Sequence, residues 1–250
     1  MKFDASRLKD PSFFAENRVH AHADHIAYAN LEELSIGETS LRHSLNGLWK
    51  FHHALNAAQV IPGFEAADYN SRGWAEIRVP AHIQMEGYGA PQYANVQYPW
   101  DGYQDVAIGE IPTAYNPVAC YIKTFFVPEQ MADRRVFVSF QGAESCIAVW
   151  LNGYYVGFSG DSFTPSEFEL TDYLIEGENK LAIAYFLNCP IPAQFPGPGV
   201  WDTPGELLTP EPDAPPGPPG LLWVPLEPEP GPPDEELPED AFCPELFCPG

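Results

Sequence analysis

The chain has 250 residues and a formal net charge of −23, with 12 Lys and Arg against 35 Asp and Glu. Nucleic acids and anionic membranes are excluded as partners because both need clustered basic residues. No apolar run approaches the ~20 residues of a membrane span, and the amino-terminal residues lack the apolar core of a signal peptide, so the expected compartment is the cytoplasm. None of the five cysteines forms a Cys-x-x-Cys pair, and Cys120 and Cys146 lie in apolar runs typical of buried positions.

Residues 1–43 are predicted to form an irregular amino-terminal arm. His20, His22, Asp24 and His25 resemble a metal cluster at first sight. Ligands at i and i+2 suit a strand, but the segment lacks the apolar alternation of one. The arm is therefore interpreted as lying over the domain or over a partner subunit, with a short helical turn at residues 31–34 and no metal site.

Residues 44–186 show the alternation of an all-β domain. Strands are predicted over residues 49–52, 77–80, 119–127, 135–140, 146–151, 154–159, 166–170 and 180–186. The pair Asn152-Gly153 joins two of them and is a strong hairpin signal. Short strands about ten residues apart, without a long helical period, predict an antiparallel β-sandwich.

A loop at residues 91–102 carries three aromatic residues, two prolines and an Asp-Gly turn around the amide side chain of Asn95. Proline at both ends favours an extended loop held at the surface. An amide offers donors and an acceptor to hydroxyl groups, and aromatic faces stack on the C–H face of a sugar. Packing alone is the alternative. His82 and Gln84, which precede the loop, are predicted either to hold it, the favoured interpretation, or to approach a ligand.

Residues 187–250 differ in composition from the rest of the chain. They hold 19 of the 28 prolines and 12 acidic residues, without any Lys or Arg. Because proline removes backbone donors and like charges oppose collapse, a disordered low-complexity tail is predicted. A frameshift, a chimeric junction or an artificial carboxyl-terminal segment explains this change better than a natural linker does.

Six motifs, in this order and at these spacings, resemble the amino-terminal sugar-binding domain of a glycoside hydrolase family 2 β-galactosidase. They are ENR (16–18), SLNGLWKF (44–51), VPAH (79–82), YANVQYP (93–99), WLNGYYVG (150–157) and DSFTPSEF (161–168). The resemblance covers residues 13–185 and implies a jelly-roll β-sandwich of the galactose-binding kind. It also implies that Asn95 reaches into the galactose subsite of a neighbouring catalytic barrel.

The resemblance transfers no catalytic residue, because the two carboxylates of glycoside hydrolysis belong to the barrel in this family. Asp101, Asp161 and Glu167 are alternative candidates, but none has an assigned facing carboxylate. The family uses magnesium and sodium, whose ligands do not map onto this chain. The chain is therefore expected to be non-catalytic, binding a galactoside through the barrel, with homo-oligomer contacts through the arm. Two alternatives are a free-standing carbohydrate-binding module and a fragment serving subunit assembly.

Overall fold

The computed structural model describes residues 3–10, 12–91, 100–107, 110–187 and 220–224. In chain order the strands are β1 (Ala15–Glu16), β2 (Arg42–Ser44), β3 (Gly47–Ala54), β4 (Ala75–Val79), β5 (Val118–Phe126), β6 (Val136–Phe140), β7 (Cys146–Leu151), β8 (Tyr154–Ser159), β9 (Ser166–Glu169), β10 (Glu178–Phe186) and β11 (Gly220–Val224). One α-helix, α1 (Leu31–Ile36), and short 3-10 helices at Ala5–Lys9, Ala57–Gln59, Glu129–Met131 and Thr171–Tyr173 complete the described elements. Within these residues, none of the helices has the length and apolar character needed to cross a membrane.

The strands form two sheets. A seven-stranded sheet has the order β1-β8-β7-β10-β5-β3-β4 and is antiparallel throughout. A four-stranded sheet has the order β2-β11-β6-β9, in which β6 and β9 are antiparallel. The predicted antiparallel β-sandwich is confirmed, and the two strands of the Asn152-Gly153 hairpin have the bounds that the sequence predicts.

The tail supplies one strand that the sequence analysis did not expect. Residues 220–224 pair in parallel with both β2 and β6. Leu-Leu-Trp-Val is an apolar run with high β propensity, which suits a strand that pairs with two neighbours. The rest of the tail from residue 188 onward lies outside the described residues, where disorder stays a prediction.

The seven-stranded sheet is buried on both faces because its side chains alternate between two cores. On β10, Leu181 and Ile183 enter one core, whereas Ala182, Ala184 and Phe186 enter the other. The inner core lies between the sheets and includes Trp49, Phe51, Ile77, Val138, Val149, Phe168 and Leu181. The outer core covers the opposite face and includes Leu8, Phe13, Phe64, Cys120, Trp150, Phe158 and Phe186.

The arm completes the outer core and is fixed by three consecutive residues. The Tyr155 hydroxyl donates to the Glu16 carboxylate at 2.7 Å, and Asn17 Nδ2 donates to the carbonyl oxygen of Val156 at 2.9 Å. That carbonyl belongs to a β-bulge, since the β7–β8 register shifts between Val149 and Trp150. The next residue, Arg18, forms hydrogen bonds with the loop at residues 160–165. The ENR motif therefore holds the arm against β8 over a long sequence separation.

Candidate functional site

A cavity of about 360 Å³ lies at one end of the sandwich, between the two sheets. Its walls are aromatic: Trp49, Tyr121 and Tyr185 come from the seven-stranded sheet and Phe140 from the four-stranded sheet. The rings are held by packing, with Tyr121 edge-to-face against Tyr185 at a centroid distance of 6.5 Å. Aromatic walls in a pocket of this size are typical of a small-molecule site.

The mouth of the cavity is formed by polar side chains from three connecting segments. His82 and Gln84 follow β4, Glu144 precedes β7, and Ser162 follows β8. Neither His82 nor Gln84 makes a side-chain hydrogen bond to another described residue. The prediction that these two side chains chiefly hold the loop therefore has no hydrogen bond to support it, whereas their position at the mouth suits contact with a ligand.

The segment after β4 is a compact turn that leads into the aromatic loop. The carbonyl oxygen of His82 accepts from the amide of Met85 at 2.9 Å, and that of Ile83 accepts from the amide of Tyr88 at 3.0 Å. Ile83 is buried, and the Tyr88 ring packs edge-to-face on Phe51 at 4.5 Å. The turn therefore presents a fixed backbone up to residue 91. Asn95 lies outside the described residues.

The Arg18 guanidinium organises the loop on the other side of the mouth. With only 6% of its side chain exposed, it donates to Asp161 Oδ2 at 3.1 Å and to the carbonyl oxygen of Pro165 at 3.1 Å, and it also bonds the Thr164 hydroxyl. Burial opposes ionisation of Asp161. Hydrogen bonds from Thr164 and from the amides of Phe163 and Thr164, together with Arg18, outweigh burial and hold the pKa of Asp161 below its usual value.

Two of the three candidate carboxylates have structural partners. Asp161 pairs with Arg18, and Glu167 on β9 accepts from His22 Nε2 at 2.8 Å. Asp101 lies exposed in the turn after residue 100. Across the ranges that the structure describes, His, Cys, Asp and Glu side chains form no group of three or more able to hold a metal ion.

Two cavity residues escaped the sequence analysis, although a signal for them was present. Tyr121 and Tyr185 occupy inner-face positions of β5 and β10, in register with apolar neighbours such as Ile183. Burial raises the pKa of both phenols, and each is raised further by a neighbour: Tyr185 acts on Tyr121 and Glu144 on Tyr185. Both hydroxyls therefore stay neutral and can donate or accept. A tyrosine among inward-facing apolar residues was the available signal.

Comparison with known proteins decides the family. The model of the family "Glycosyl hydrolases family 2, sugar binding domain" matches residues 42–191. The chain belongs to glycosyl hydrolase family 2. Its match within this family is the sugar-binding domain, and it is homologous to the amino-terminal portion of β-galactosidases.

Several of the relatives that match this chain are β-galactosidases by name. The enzymes of Streptococcus thermophilus and Halalkalibacterium halodurans are each 48% identical to this chain, over 179 and 184 residues. These alignments cover 72% and 73% of this chain but only 17% and 18% of the relatives. The β-galactosidase large subunit of Latilactobacillus sakei is 39% identical over 188 residues, which is 70% of this chain and 30% of that subunit.

Among solved structures, a β-glucuronidase of Bifidobacterium dentium superposes with a TM-score of 0.41 at 24% identity. The superposition covers 57% of this chain and 19% of the enzyme.

Proposed function

We propose that this chain is the non-catalytic sugar-binding part of a β-galactosidase-like glycoside hydrolase, acting on galactosides only when joined to a catalytic domain. The observation that carries the proposal is 48% identity to a β-galactosidase over 179 residues, confined to 17% of that enzyme and centred on the sugar-binding domain. The alternative of an independent carbohydrate-binding module would require strong sugar affinity in the isolated chain.

In this proposal Asn95 contacts a galactose hydroxyl in the active site of the joined enzyme. The role rests on the resemblance of residues 93–99 to the family loop. It is supported by the fixed turn at residues 79–91, which leads directly into that loop. An amide can donate to one hydroxyl and accept from another, so it can orient the sugar without taking part in bond cleavage.

The chemistry of hydrolysis is proposed to come from the catalytic domain. Glycoside hydrolysis needs two carboxyl groups facing each other across the scissile bond. Here Asp161 is paired with Arg18 and Glu167 with His22. We propose likewise that the sodium and magnesium of the parent enzyme are held by residues outside this chain.

Subunit assembly is a second proposed role, and the arm is the segment that favours it. Ile26 and the α1 residues Leu31, Leu34 and Ile36 are all more than half exposed. Apolar side chains clustered on one exposed segment suit contact with another subunit. This role is compatible with sugar binding, because the arm and the cavity use different residues.

The test is a chimera in which residues 13–185 replace the matching segment of the S. thermophilus β-galactosidase. Asn95→Ala should lower kcat/KM for an aryl galactoside roughly tenfold to a hundredfold, the effect of a lost hydrogen bond that tightens in the transition state. Asn70→Ala, at an exposed position, is the matched control and should leave the rate unchanged. A chimera whose rate is indifferent to Asn95→Ala refutes the proposed role.

The isolated chain is the second arm of the same test. It should hydrolyse no aryl galactoside above background, because the two facing carboxylates are proposed to belong to the catalytic domain. Hydrolysis that co-purifies with the chain and disappears in Asp101→Asn or Glu167→Gln would show instead that the chain is itself an enzyme.

A further inference from the structure

We infer that the cavity between the sheets is itself a weak binding site for one neutral pyranoside, separate from the contact assigned to Asn95. The inference takes its ligand class, a neutral sugar, from the proposed function. The residues known to line its walls and mouth belong to this chain.

The first argument is the state of two phenol hydroxyls. Tyr121 and Tyr185 line the cavity, and neither hydroxyl makes a hydrogen bond within the described part of the chain. A buried tyrosine hydroxyl usually finds a partner, because leaving one unpaired costs free energy that phenylalanine would avoid. Neither hydroxyl is among the fully buried unpaired atoms, so each keeps some accessible surface on a residue that lines the cavity. They offer two donors and acceptors to a bound molecule.

The second argument is that the rings are held in place before a ligand arrives. Tyr121 packs edge-to-face against Phe51 at 5.0 Å, against Trp49 at 6.3 Å and against Tyr185 at 6.5 Å. The Trp49 indole is fixed in turn, since its Nε1 donates to the carbonyl oxygen of Leu45 at 2.8 Å. Fixed groups lose little rotamer entropy on binding, which favours even a small ligand.

The third argument concerns the class of ligand. An apolar wall with hydroxyl groups and a polar mouth matches a pyranose, which has an apolar C–H face and a hydroxylated edge. Glu144 stands at the mouth, and none of the described lining residues is Lys or Arg. A uronic acid would therefore meet a like charge with no Lys or Arg to receive it. The volume of about 360 Å³ accommodates a monosaccharide but not an extended oligosaccharide.

The test is calorimetric titration of the full chain with methyl β-D-galactopyranoside. We expect a dissociation constant on the order of 1 mM, since a small sugar with few polar contacts gains little net free energy. Tyr121→Phe and Tyr185→Phe keep the rings and should each weaken binding roughly three- to tenfold. Gln84→Ala changes only the mouth of the cavity, so weaker binding in this variant cannot be attributed to a folding defect in the core. Tyr154→Phe, at a largely exposed tyrosine outside the cavity lining, should have no effect.

Three outcomes would overturn the inference. Binding abolished by Asn95→Ala but untouched by the tyrosine variants would move the site to the loop. Cyclohexanol binding as tightly as the glycoside, unaffected by Tyr185→Phe, would make the cavity merely apolar. Absence of glycoside binding at tens of millimolar would refute the site. The proposed function is judged separately, by hydrolysis in the chimera, so the two can fail independently.

Discussion

Gly157→Ala is expected to be among the most destabilising single-methyl changes in this domain. Gly157 lies on β8, where the arm strand β1 and the β9 side chain Phe168 both approach the backbone. A Cβ atom there would lie 2.5 Å from the carbonyl oxygen of Glu16 and 2.7 Å from Phe168 Cδ1. Both distances are below 3.0 Å, a separation that real Cβ contacts essentially never show.

The magnitude follows from what would have to move. Phe168 is fully buried in the inner core, so its ring cannot rotate away without displacing other packed side chains. The other contact is backbone, so relief requires shifting β1 and weakening its pairing at Ala15 and Glu16. Overpacking of this kind costs about 1–3 kcal/mol, and two unyielding contacts place this change at ~3 kcal/mol, roughly a hundredfold in the folding equilibrium.

Urea unfolding followed by tryptophan fluorescence measures the free energy directly. Gly73→Ala is the matched control, because a Cβ atom at Gly73 meets nothing within 4 Å and needs no positive φ. We expect the control to stay within ~0.5 kcal/mol of wild type. If Gly157→Ala unfolds at the same urea midpoint as Gly73→Ala, the close approach of β1, β8 and β9 is refuted.

Two further predictions concern the arm. The pKa of His22 is raised by its hydrogen bonds to the Ala23 carbonyl and to Glu167. The stability that protonated His22 gives to the docked arm should therefore be complete below about pH 6.5 and lost as pH rises through the raised pKa. Proteolysis of the arm should therefore accelerate between pH 6 and 9 in wild type but not in His22→Gln. The acceleration should correspond to less than ~1 kcal/mol, because the pair is partly exposed. A pH-independent rate in wild type would contradict this prediction. Arg18→Ala should cost about 2–3 kcal/mol by stranding Asp161, with faster amide exchange confined to residues 160–165, whereas faster exchange spread over the whole sandwich would show a general packing role.

Local patterns predicted most of the strands, because one buried face imposes a period of two on each strand. The Asn152-Gly153 hairpin is the clearest case: both residues have positive φ, at 52° and 84°, as a tight turn between twisted strands requires. The same asparagine also bonds far from the turn, donating to Asn179 Oδ1 at 2.8 Å and to the Tyr173 carbonyl oxygen at 2.9 Å. No local pattern carries that information.

The less predictable features depend on residues distant in sequence. The partners of the ENR motif could not be predicted, because Asn17 bonds Val156 and Arg18 bonds Asp161 more than 130 residues later in the sequence. The outer core could not be predicted for the same reason. A period of two shows that a strand has two faces, but it does not show which residues cover the second face. The cavity was likewise invisible, because it arises from the spacing of the two sheets at one end of the sandwich.

The covering of the outer core by the arm has a consequence for how the chain folds. Phe3 stacks on Phe158 at 5.6 Å and meets Phe186 at 5.8 Å, while Phe13 stacks on Phe158 at 4.8 Å. During synthesis the arm leaves the ribosome about 150 residues before the β8 residue Phe158 that it contacts. Contacts of such long sequence separation slow folding, because loop closure precedes any gain from packing. The arm must therefore wait for β8 and β10, and a bulky fusion at the amino terminus would act at the last step, when the outer core closes.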